Sequence, residues 1–449
     1  MEPYEVIIVG SGPAGIFAAM TLTELGMGGV ILLEQGKDIG ERNRKERHDL
    51  LCGWGGAGAF SDGKLIMSTE VGGFLNEFVE HNVLEELLNE ADAQYVKCGA
   101  PQHVYGDISE AYESLRQKAK LARMEFVPTR VRHIGTENCQ EILKRLRSDL
   151  DQRLEIRTGT QVKEIWVEDK HVKGVVLESG ERLRGRFVVC APGRSGANWM
   201  KQEAMRLGIS CVPSPVDIGL RIETSAEVLR PLTDVVYESK LIYYSKTFDD
   251  RVRTFCMNPY GEVVVEEYDG IITVNGHSYA SHKTENSNFA ILVSSTFTEP
   301  FDDPIGYGRY IARLANMLGK GPIVQRLGDL LVGRRSTHER ISKSITRPTL
   351  ASATPGDLSF VMPYRYLKDI LEMLESMDQI APGIFSKYTL LYGVEVKFYS
   401  SRIKLSKQLE SEIRNLFVIG DGAGITRGLL QSSASGILVG REIQRKAKS

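Results

Sequence analysis

The sequence predicts an α/β fold in which a Rossmann-like domain is split in sequence by an inserted α+β domain. Three observations lead to this prediction. A strand, a glycine turn and a helix open the chain at residues 6–25, and a second strand ends in an acid, Glu34, about 20 residues after the glycines. A strand near the other terminus ends at Gly420 and Asp421. Both ends of the chain are therefore expected to contribute to one nucleotide-binding domain.

The first turn reads Gly10-Ser11-Gly12-Pro13-Ala14-Gly15. Gly10 allows a tight turn, Gly12 lets backbone amides approach a pyrophosphate, and Gly15 lets the helix pack closely on the sheet. Pro13 suits the first turn of a helix, whose free N–H groups and dipole then point at the phosphates. Glu34 would accept both hydroxyls of an adenosine ribose and would repel a 2′-phosphate. The pattern therefore predicts FAD and disfavours NADP at this site.

The C-terminal strand and turn predict the other half of a flavin site. Asp421 would accept a hydrogen bond from the ribityl chain, and the helix that follows Gly428 would point the positive end of its dipole at flavin N1. Arg427 is a candidate for additional positive charge at this edge, which would favour the reduced flavin; a solvated arginine is the alternative.

A second glycine-rich segment spans residues 52–65. Backbone without side chains can approach a flat ring or a phosphate closely. The interleaved Trp54 and Phe60 argue against a flexible linker. We therefore expect this segment to contact the flavin, with Lys64 as a polar group beside the ring.

The remaining elements follow from periodicity. Residues 137–150 predict an amphipathic crossover helix, residues 154–190 a β-meander and residues 197–207 a helix. From residue 216 to about 400 the chain is rich in longer strands, broken by helices at 305–318 and 366–376, and the last helix is expected at 429–445. We expect a Rossmann-like FAD-binding domain (three-layer ββα) at residues 1–70, 125–212 and 405–449, a helical insertion at 71–124, and a substrate or cap domain at 213–404.

Strand alternation in the inserted domain places Arg251, Arg253 and Phe255 on one face and Cys256 on the other. His277, expected in a turn, could act as an acid or base near neutral pH, or could be structural. The candidate catalytic residues are Lys64, Arg253, His277 and Arg427. The candidate cofactor-binding residues are Gly10, Ser11, Gly12, Pro13, Ala14, Gly15, Glu34, Gln35, Ala57, Gly58, Val162, Gly193, Gly420, Asp421, Gly428 and Leu429. The basic segment 333–347 could meet an anionic substrate or an acidic electron donor, or could be a solvated loop.

Several blocks of the chain resemble the uncharacterised FAD-dependent dehydrogenase family of prokaryotes. They are the first glycine motif with Glu34, then residues 55–65, 253–257, 275–278, 392–400 and 420–436. The first and last blocks are shared by many flavoproteins of the glutathione-reductase-like fold, whereas the middle blocks are specific to the family. The resemblance covers nearly the whole chain and implies a bound FAD and an oxidoreductase fold, without implying a substrate.

Charge and composition limit the remaining possibilities. The 449 residues carry a net charge of -2, with 42% hydrophobic and 25% charged residues, as in ordinary soluble enzymes. Such a charge gives no general attraction to nucleic acid or to an anionic membrane. The six cysteines form no CxxC pair or zinc spacing, and no run approaches the roughly 20 apolar residues of a membrane span. We expect a cytoplasmic protein with no metal site, no nucleic acid partner and no membrane partner.

Three classes of function remain open. The first is an FAD-dependent dehydrogenase or reductase that passes a hydride between flavin N5 and a small organic substrate, for which an anion is the candidate. The second is a flavin monooxygenase of the aromatic-hydroxylase kind, disfavoured because Pro192-Gly193 stands where those enzymes have an Asp-Gly element. The third is a flavin-dependent RNA-modifying enzyme or a flavin sensor, and the charge balance argues against RNA. A second nucleotide fingerprint is absent from the sequence, so either NADH or NADPH visits the flavin transiently or a ferredoxin-like carrier supplies electrons.

Overall fold

The computed structural model describes residues 3–212, 216–268, 270–279, 282–295, 300, 303–397 and 402–448. The expected domain boundary at residue 213 and the end of the block 392–400 lie outside the described residues. The strands are β1 (Tyr4–Val9), β2 (Val30–Leu33), β3 (Lys64–Met67), β4 (Met124–Val127), β5 (Arg130–His133), β6 (Glu155–Arg157), β7 (Val162–Glu168), β8 (His171–Leu177), β9 (Arg182–Cys190), β10 (Cys211–Val212), β11 (Val216–Ser225), β12 (Lys240–Tyr244), β13 (Arg251–Asn258), β14 (Glu262–Tyr268), β15 (Ile271–His277), β16 (Asn286–Ser295), β17 (Ile323–Arg326), β18 (Thr354–Pro355), β19 (Leu390–Lys397), β20 (Arg402–Ile403) and β21 (Leu416–Val418). The α-helices are α1 (Pro13–Glu24), α2 (Arg47–Leu51), α3 (His81–Lys97), α4 (Glu110–Leu121), α5 (Thr136–Asp151), α6 (Ala197–Leu207), α7 (Ala226–Thr233), α8 (Pro304–Gly319), α9 (Leu327–Leu331), α10 (His338–Ser342), α11 (Tyr364–Met377) and α12 (Leu429–Lys448).

The chain forms two units. Unit 1 comprises Met1–His103, Arg132–Ser214 and Ser400–Ser449, and unit 2 comprises Val104–Val131 and Pro215–Tyr399. The expected helical insertion at 71–124 is therefore divided between them. Its first helix, α3, packs against α12 of unit 1, where the Tyr95 and Ser433 hydroxyls lie 3.1 Å apart, whereas β4 pairs with β12 of unit 2.

A parallel sheet in the order β6, β2, β1, β9, β21 forms the centre of unit 1. The residues of β1 from Val6 to Val9 pair with Val30 to Leu33 on one side and with residues 187–190 on the other. Residues 6–9, 30–33 and 187–190 are continuous apolar runs because both faces of a parallel sheet are covered. Strand β9 also pairs with β8, and β8 with β7, in an antiparallel meander. The predicted α/β class with a Rossmann-like domain and an additional domain is confirmed.

Helices α1 and α12 pack unusually closely on each other in unit 1. A Cβ atom on Gly436 would lie 2.2 Å from the carbonyl oxygen of Ala14, and one on Gly440 would lie 2.8 Å from Cβ of Thr21. Glycine at these two positions therefore lets the C-terminal helix lie against the first helix. This contact places the turn before α12 beside the turn before α1.

An eight-stranded sheet in the order β18, β17, β19, β11, β16, β13, β12, β4 forms unit 2. Alternate residues of β11, among them Ile218, Leu220 and Ile222, are fully buried in one apolar core with residues of α7 and α11. Strands β14 and β15 form a separate hairpin. Among the described residues of both units, no helix is long and apolar enough to cross a membrane.

Candidate functional site

The first glycine turn is closed on one side and open on the other. A Cβ atom on Gly10 would lie 2.2 Å from the oxygen of Ala191, and one on Gly15 would lie 1.9 Å from the oxygen of Gly10. A Cβ atom on Gly12, in contrast, would meet nothing within 4 Å among the described residues. The backbone at Gly12 therefore borders open space at the start of α1, where the positive end of the helix dipole lies.

Glu34 lies at the end of β2 and is 5% exposed. One carboxylate oxygen accepts hydrogen bonds from the amide and hydroxyl of Ser11 at 2.9 and 2.7 Å. The other accepts from the amides of Gly36 and Gly53 at 2.8 and 3.0 Å. A carboxylate offers about four lone-pair positions, so these donors fill it. Contact with a ribose, as the sequence predicts, would require a ribose hydroxyl to replace one donor, and the Ser11 hydroxyl is the one free to rotate.

Arg42 holds the second glycine-rich segment and was not found from the sequence. Its buried guanidinium donates to the carbonyl oxygens of Asp49 and Trp54 and lies 5.0 Å from the ring centroid of Phe60. Burial lowers the pKa of Arg42, and the carboxylate of Glu34 opposes that shift. No local motif marks this arginine, because its partners are main-chain carbonyls.

The second glycine-rich segment contacts both helix starts. The amide of Gly55 donates to the oxygen of Ser11 at 2.8 Å, and a Cβ atom on Gly56 would lie 3.2 Å from Cα of Gly12. A Cβ atom on Gly58 would lie 3.0 Å from the side chain of Leu429. The predicted cofactor residues Ala57 and Gly58 are therefore brought to the first turn and to the start of α12. Pro13, Gly58 and Leu429 also line a small apolar pocket with Tyr95 and Cys139.

Lys64 is a buried cation at the end of this segment. Its ammonium lies 3.1 Å from a carboxylate oxygen of Asp62, and its side chain is 4% exposed. Burial lowers the pKa of His133, and the charge of Lys64 lowers it further. The cluster therefore combines a paired ammonium with an imidazole that favours its neutral form. His133 was not predicted, because the strand that carries it lies far along the sequence.

Gly193 and Asp421 lie together after neighbouring strands. Gly193 has a φ of +61°, and a Cβ atom there would meet nothing within 4 Å among the described residues. A Cβ atom on Gly422 would lie 2.8 Å from the oxygen of Gly193. Oxygen Oδ2 of the Asp421 carboxylate lies 4.0 Å from Nε of Arg194. Arg194, which the sequence reasoning missed, therefore adds a cation beside the predicted ribityl contact.

Arg427 is held by the segment 72–74. Its amide donates to the oxygen of Gly72 at 2.8 Å, and its guanidinium lies 4.5 Å from the ring centroid of Phe74. Arg402 lies 4.7 Å from the centroid of the same ring and pairs with Glu77. The role of Arg427 at the pyrimidine edge of the flavin stays a prediction.

Two further predicted residues lie at the edge of unit 1. The amide of Gln35 lies 3.4 Å from Sγ of Cys52 and 3.5 Å from the hydroxyl of Ser195. Val162 is buried at the start of β7, just after Thr160, whose amide donates to the main-chain oxygen of Glu34. Gln35 therefore lies near the second glycine-rich segment and near the residues after β9. Val162 lies two residues after a main-chain contact of Glu34.

The face of the unit 2 sheet opposite its apolar core is polar. Arg221 of β11 forms two hydrogen bonds of 2.7 Å with Glu395 of β19, and both side chains are fully buried. Arg253 of β13 pairs with Asp217 of β11, and Lys240 of β12 pairs with Glu238. Charged groups on a sheet face are costly to bury unless they are paired, so this face is organised by ion pairs.

Three cations surround the ring of Phe255 on this face. Arg253, Lys240 and Lys397 lie 5.0, 5.2 and 5.7 Å from its centroid. The predicted alternation along β13 holds as far as Phe255. It changes at Cys256, whose φ of +44° lies in an irregularity of the pairing with β16.

His277 lies in strand β15 rather than in a turn, opposite Glu262 of β14. Its ring is stacked 6.3 Å from that of Tyr279. The strand continues to this residue because the hairpin of β14 and β15 pairs along its whole length. The structure places His277 and Arg253 in unit 2, and Lys64 and Arg427 in unit 1.

The residues of unit 1 fit FAD. The open amides at Gly12 and the start of α1 would hold the pyrophosphate, and Glu34 with Ser11 would meet the adenosine ribose. Asp421 would meet the ribityl chain, with the open backbone at Gly193 alongside. The fit rests on the glycines: Gly10 and Gly15 are closed against the fold, whereas Gly12 and Gly193 are open to a ligand.

Comparison with known proteins agrees with this fit. The family described as "FAD dependent oxidoreductase" matches residues 5–289, and the family described as "FAD-dependent protein, C-terminal domain-like" matches residues 216–398. A protein of Clostridium beijerinckii described as "Uncharacterized protein" is 28% identical, covering 98% of this chain and 80% of its own.

Two solved structures are among those to which the chain is similar. Glycine oxidase from Bacillus cereus is 14% identical with a TM-score of 0.38, over 99% of this chain and 95% of its own. L-proline dehydrogenase from P. horikoshii is 12% identical with a TM-score of 0.39, over 99% of this chain and 94% of its own.

Proposed function

Because the chain belongs to the FAD dependent oxidoreductase family, we propose that it transfers a hydride between flavin N5 and a small anionic organic substrate. In this proposal unit 1 holds the FAD and unit 2 anchors the substrate. Bound FAD supplies a two-electron acceptor or donor, and the protein supplies binding, orientation and charge.

The observation that supports an anionic substrate concerns the ion pairs around Phe255, in which the cation is less buried than its acid. Arg253 is 16% exposed while Asp217 is 2% exposed, and Lys240 is 7% exposed while Glu238 is 2% exposed. Lys397 is 13% exposed and contacts Glu395, which is fully buried. The cation of each of these pairs is the more accessible partner, so a ligand at this face meets positive charge first.

Glu266 is the exception on this face. It is 22% exposed and lies 3.2 Å from Lys397. The acids that pair with Arg253 and Lys240, in contrast, are buried, and Arg253 has the planar fork that binds a carboxylate through two hydrogen bonds. We propose Arg253 as the principal anchor, supported by Lys240 and Lys397, which sequence reasoning did not identify.

The other candidates receive roles within this proposal. Lys64 and Arg427 supply fixed positive charge in unit 1, which stabilises negative charge that develops in the reaction. His277 is the candidate acid or base of unit 2. If the substrate is oxidised, it reduces the flavin itself. If the substrate is reduced, the flavin needs NADH, NADPH or a ferredoxin-like carrier as its reductant, and anaerobic reduction by each in parallel identifies it.

The substrate test compares anions with neutral analogues. Small carboxylates and their amides are added anaerobically, and loss of the visible flavin absorbance is followed. We expect reduction by a carboxylate and none by its amide. For that substrate Arg253→Met should raise KM at least about tenfold, the value of one charged hydrogen bond.

The control for this test is Arg251→Met, two residues earlier on the same strand and exposed, which should leave KM unchanged. Equal reduction by amides, or equal KM values for both variants, would contradict the anionic substrate. Oxygen uptake with NADH that rises only when an aromatic compound is added would instead support a monooxygenase.

A further inference from the structure

The carboxylate of Asp421 is held by two buried hydroxyls. Thr426 and Ser432 both donate to the same oxygen, Oδ1, at 2.7 and 2.9 Å, and the two hydroxyl oxygens lie 2.8 Å apart. Thr426 is 2% exposed and Ser432 is 6% exposed. These hydroxyls are therefore committed to Asp421 in a region with little access to water.

The backbone that carries the two hydroxyls is itself fixed. On either side of Thr426, the oxygen of Ile425 accepts from the amide of Phe74 and the amide of Arg427 donates to the oxygen of Gly72, both at 2.8 Å. Ser432 lies in the first turn of α12, and its amide donates to Gly428 at 3.0 Å. The donors therefore keep their positions while the side chain of Asp421 could otherwise rotate.

Two donors on Oδ1 use both lone-pair positions of that oxygen. The other oxygen, Oδ2, then remains the acceptor that Asp421 presents to a ligand, with Nε of Arg194 4.0 Å away. Rotation of the carboxylate would break both hydroxyl bonds. We propose that Thr426 and Ser432 are positioning residues, which fix the Asp421 carboxylate in the orientation that the ribityl hydroxyls of FAD require.

This inference rests on the proposed role of Asp421 in binding FAD. Neither hydroxyl needs to touch the cofactor, and the substrate and the reaction direction do not enter the argument. The readout is therefore the affinity of the apoprotein for FAD, measured by the quenching of flavin fluorescence.

The test uses conservative pairs of variants. Thr426→Val keeps the shape and removes the hydroxyl, and it should raise the Kd for FAD about tenfold, as should Ser432→Ala. Thr426→Ser restores the hydroxyl and should bring the Kd back to within about threefold of wild type. The matched control is Ser435→Ala, because Ser435 is also buried in α12 but donates to the oxygen of Ser432; its Kd should not change.

Two results would overturn the inference. One is an equal loss of affinity in Thr426→Ser and Thr426→Val, which would show that retaining the hydroxyl does not protect the affinity and that any change of side chain at this position lowers it. The other is wild-type affinity in both Thr426→Val and Ser432→Ala while Asp421→Asn binds FAD weakly. Wild-type affinity in Asp421→Asn itself would instead remove the proposed ribityl contact, so the two failures are distinguishable. If Thr426→Val lowers the melting temperature of the apoprotein, the comparison of Ser432→Ala with Ser435→Ala decides.

Discussion

At the scale of single residues, Glu34 connects three segments of unit 1. Its donors come from the first glycine turn, from the residues after β2 and from the second glycine-rich segment. The sequence predicts an acid here from its distance to the glycines. It does not predict Ser11, Gly36 and Gly53 as its donors, because those contacts depend on how the segments meet in the fold.

We therefore expect Glu34→Ala to destabilise the apoprotein as well as to weaken FAD binding. Three buried amides would lose a charged acceptor, and hydrogen bonds to charged groups contribute about 1.5–3 kcal/mol each. Denaturant unfolding of the apoprotein should show a loss of at least about 3 kcal/mol. Glu24→Ala, an exposed acid at the end of α1, should change the free energy of unfolding by less than about 0.5 kcal/mol. Equal stability in the two variants would show that Glu34 acts on the cofactor alone.

Arg427 allows a second test at the residue scale. Positive charge near flavin N1 favours the reduced state, so Arg427→Ala should lower the two-electron potential, by roughly 30 mV for a loss of about 1.4 kcal/mol. The measurement is a potentiometric titration at one pH and one salt concentration. Arg402→Ala removes the other guanidinium on the Phe74 ring and should leave the potential unchanged. Shifts of equal size in both variants would mean that the potential responds to any positive charge near the Phe74 ring and not to Arg427 in particular.

At the scale of elements, local periodicity predicts where helices and strands lie but not how strands pair. Helix α6 has the predicted bounds of 197–207, and α11 extends the predicted 366–376 by two residues at its start and one at its end. The sequence could not predict the whole cluster around Phe255, because Lys240 and Lys397 reach it from β12 and β19. The register between two strands that are distant in sequence cannot be determined from the sequence of either strand alone.

Helix α11 also holds the turn between β12 and β13 through Glu372 and Arg365. Glu372 accepts from the amide of Lys246 at 2.7 Å, and Asp250 pairs with Arg365. Burial raises the pKa of Asp369 to about 6; the neighbouring Ser245 hydroxyl opposes this shift, and the nearby Asp250 carboxyl reinforces it. The folded chain therefore retains the proton of Asp369 at pH values where the unfolded chain has lost it.

This shift predicts how stability depends on pH. Between about pH 4 and pH 6 the native state binds more protons at Asp369 than the unfolded state, so the free energy of unfolding should fall as pH rises through this window. Asp369→Asn should remove that part of the slope in urea unfolding measured at several pH values. Glu375→Gln, an exposed acid on the same helix, should retain it. A slope that persists in Asp369→Asn would assign the titration to another group.

At the scale of the whole molecule, the split of the nucleotide-binding domain was predictable because its two motifs stand at opposite ends of the chain. The division of residues 71–124 between the two units was not predictable, because the pattern of a helix does not show which sheet or helix it packs on. For the site, spacing alone predicts the glycines, Glu34 and Asp421 as cofactor contacts, and these roles stay predictions. Arg42, His133 and Arg194 carry no such pattern, since their partners are set by tertiary structure.

The close packing of α12 on α1 has a consequence for how the protein is made. A ribosome releases β1, the first glycine turn and Glu34 before β21, Asp421 and α12. Until α12 emerges, the side of α1 that packs against Gly436 and Gly440 lacks its partner helix. Unit 2, whose segments are all complete before β21, can fold while unit 1 is still waiting for its last strand and helix. A nascent chain that stalls before residue 416 therefore lacks the helix that covers one side of α1, together with the predicted ribityl contact Asp421.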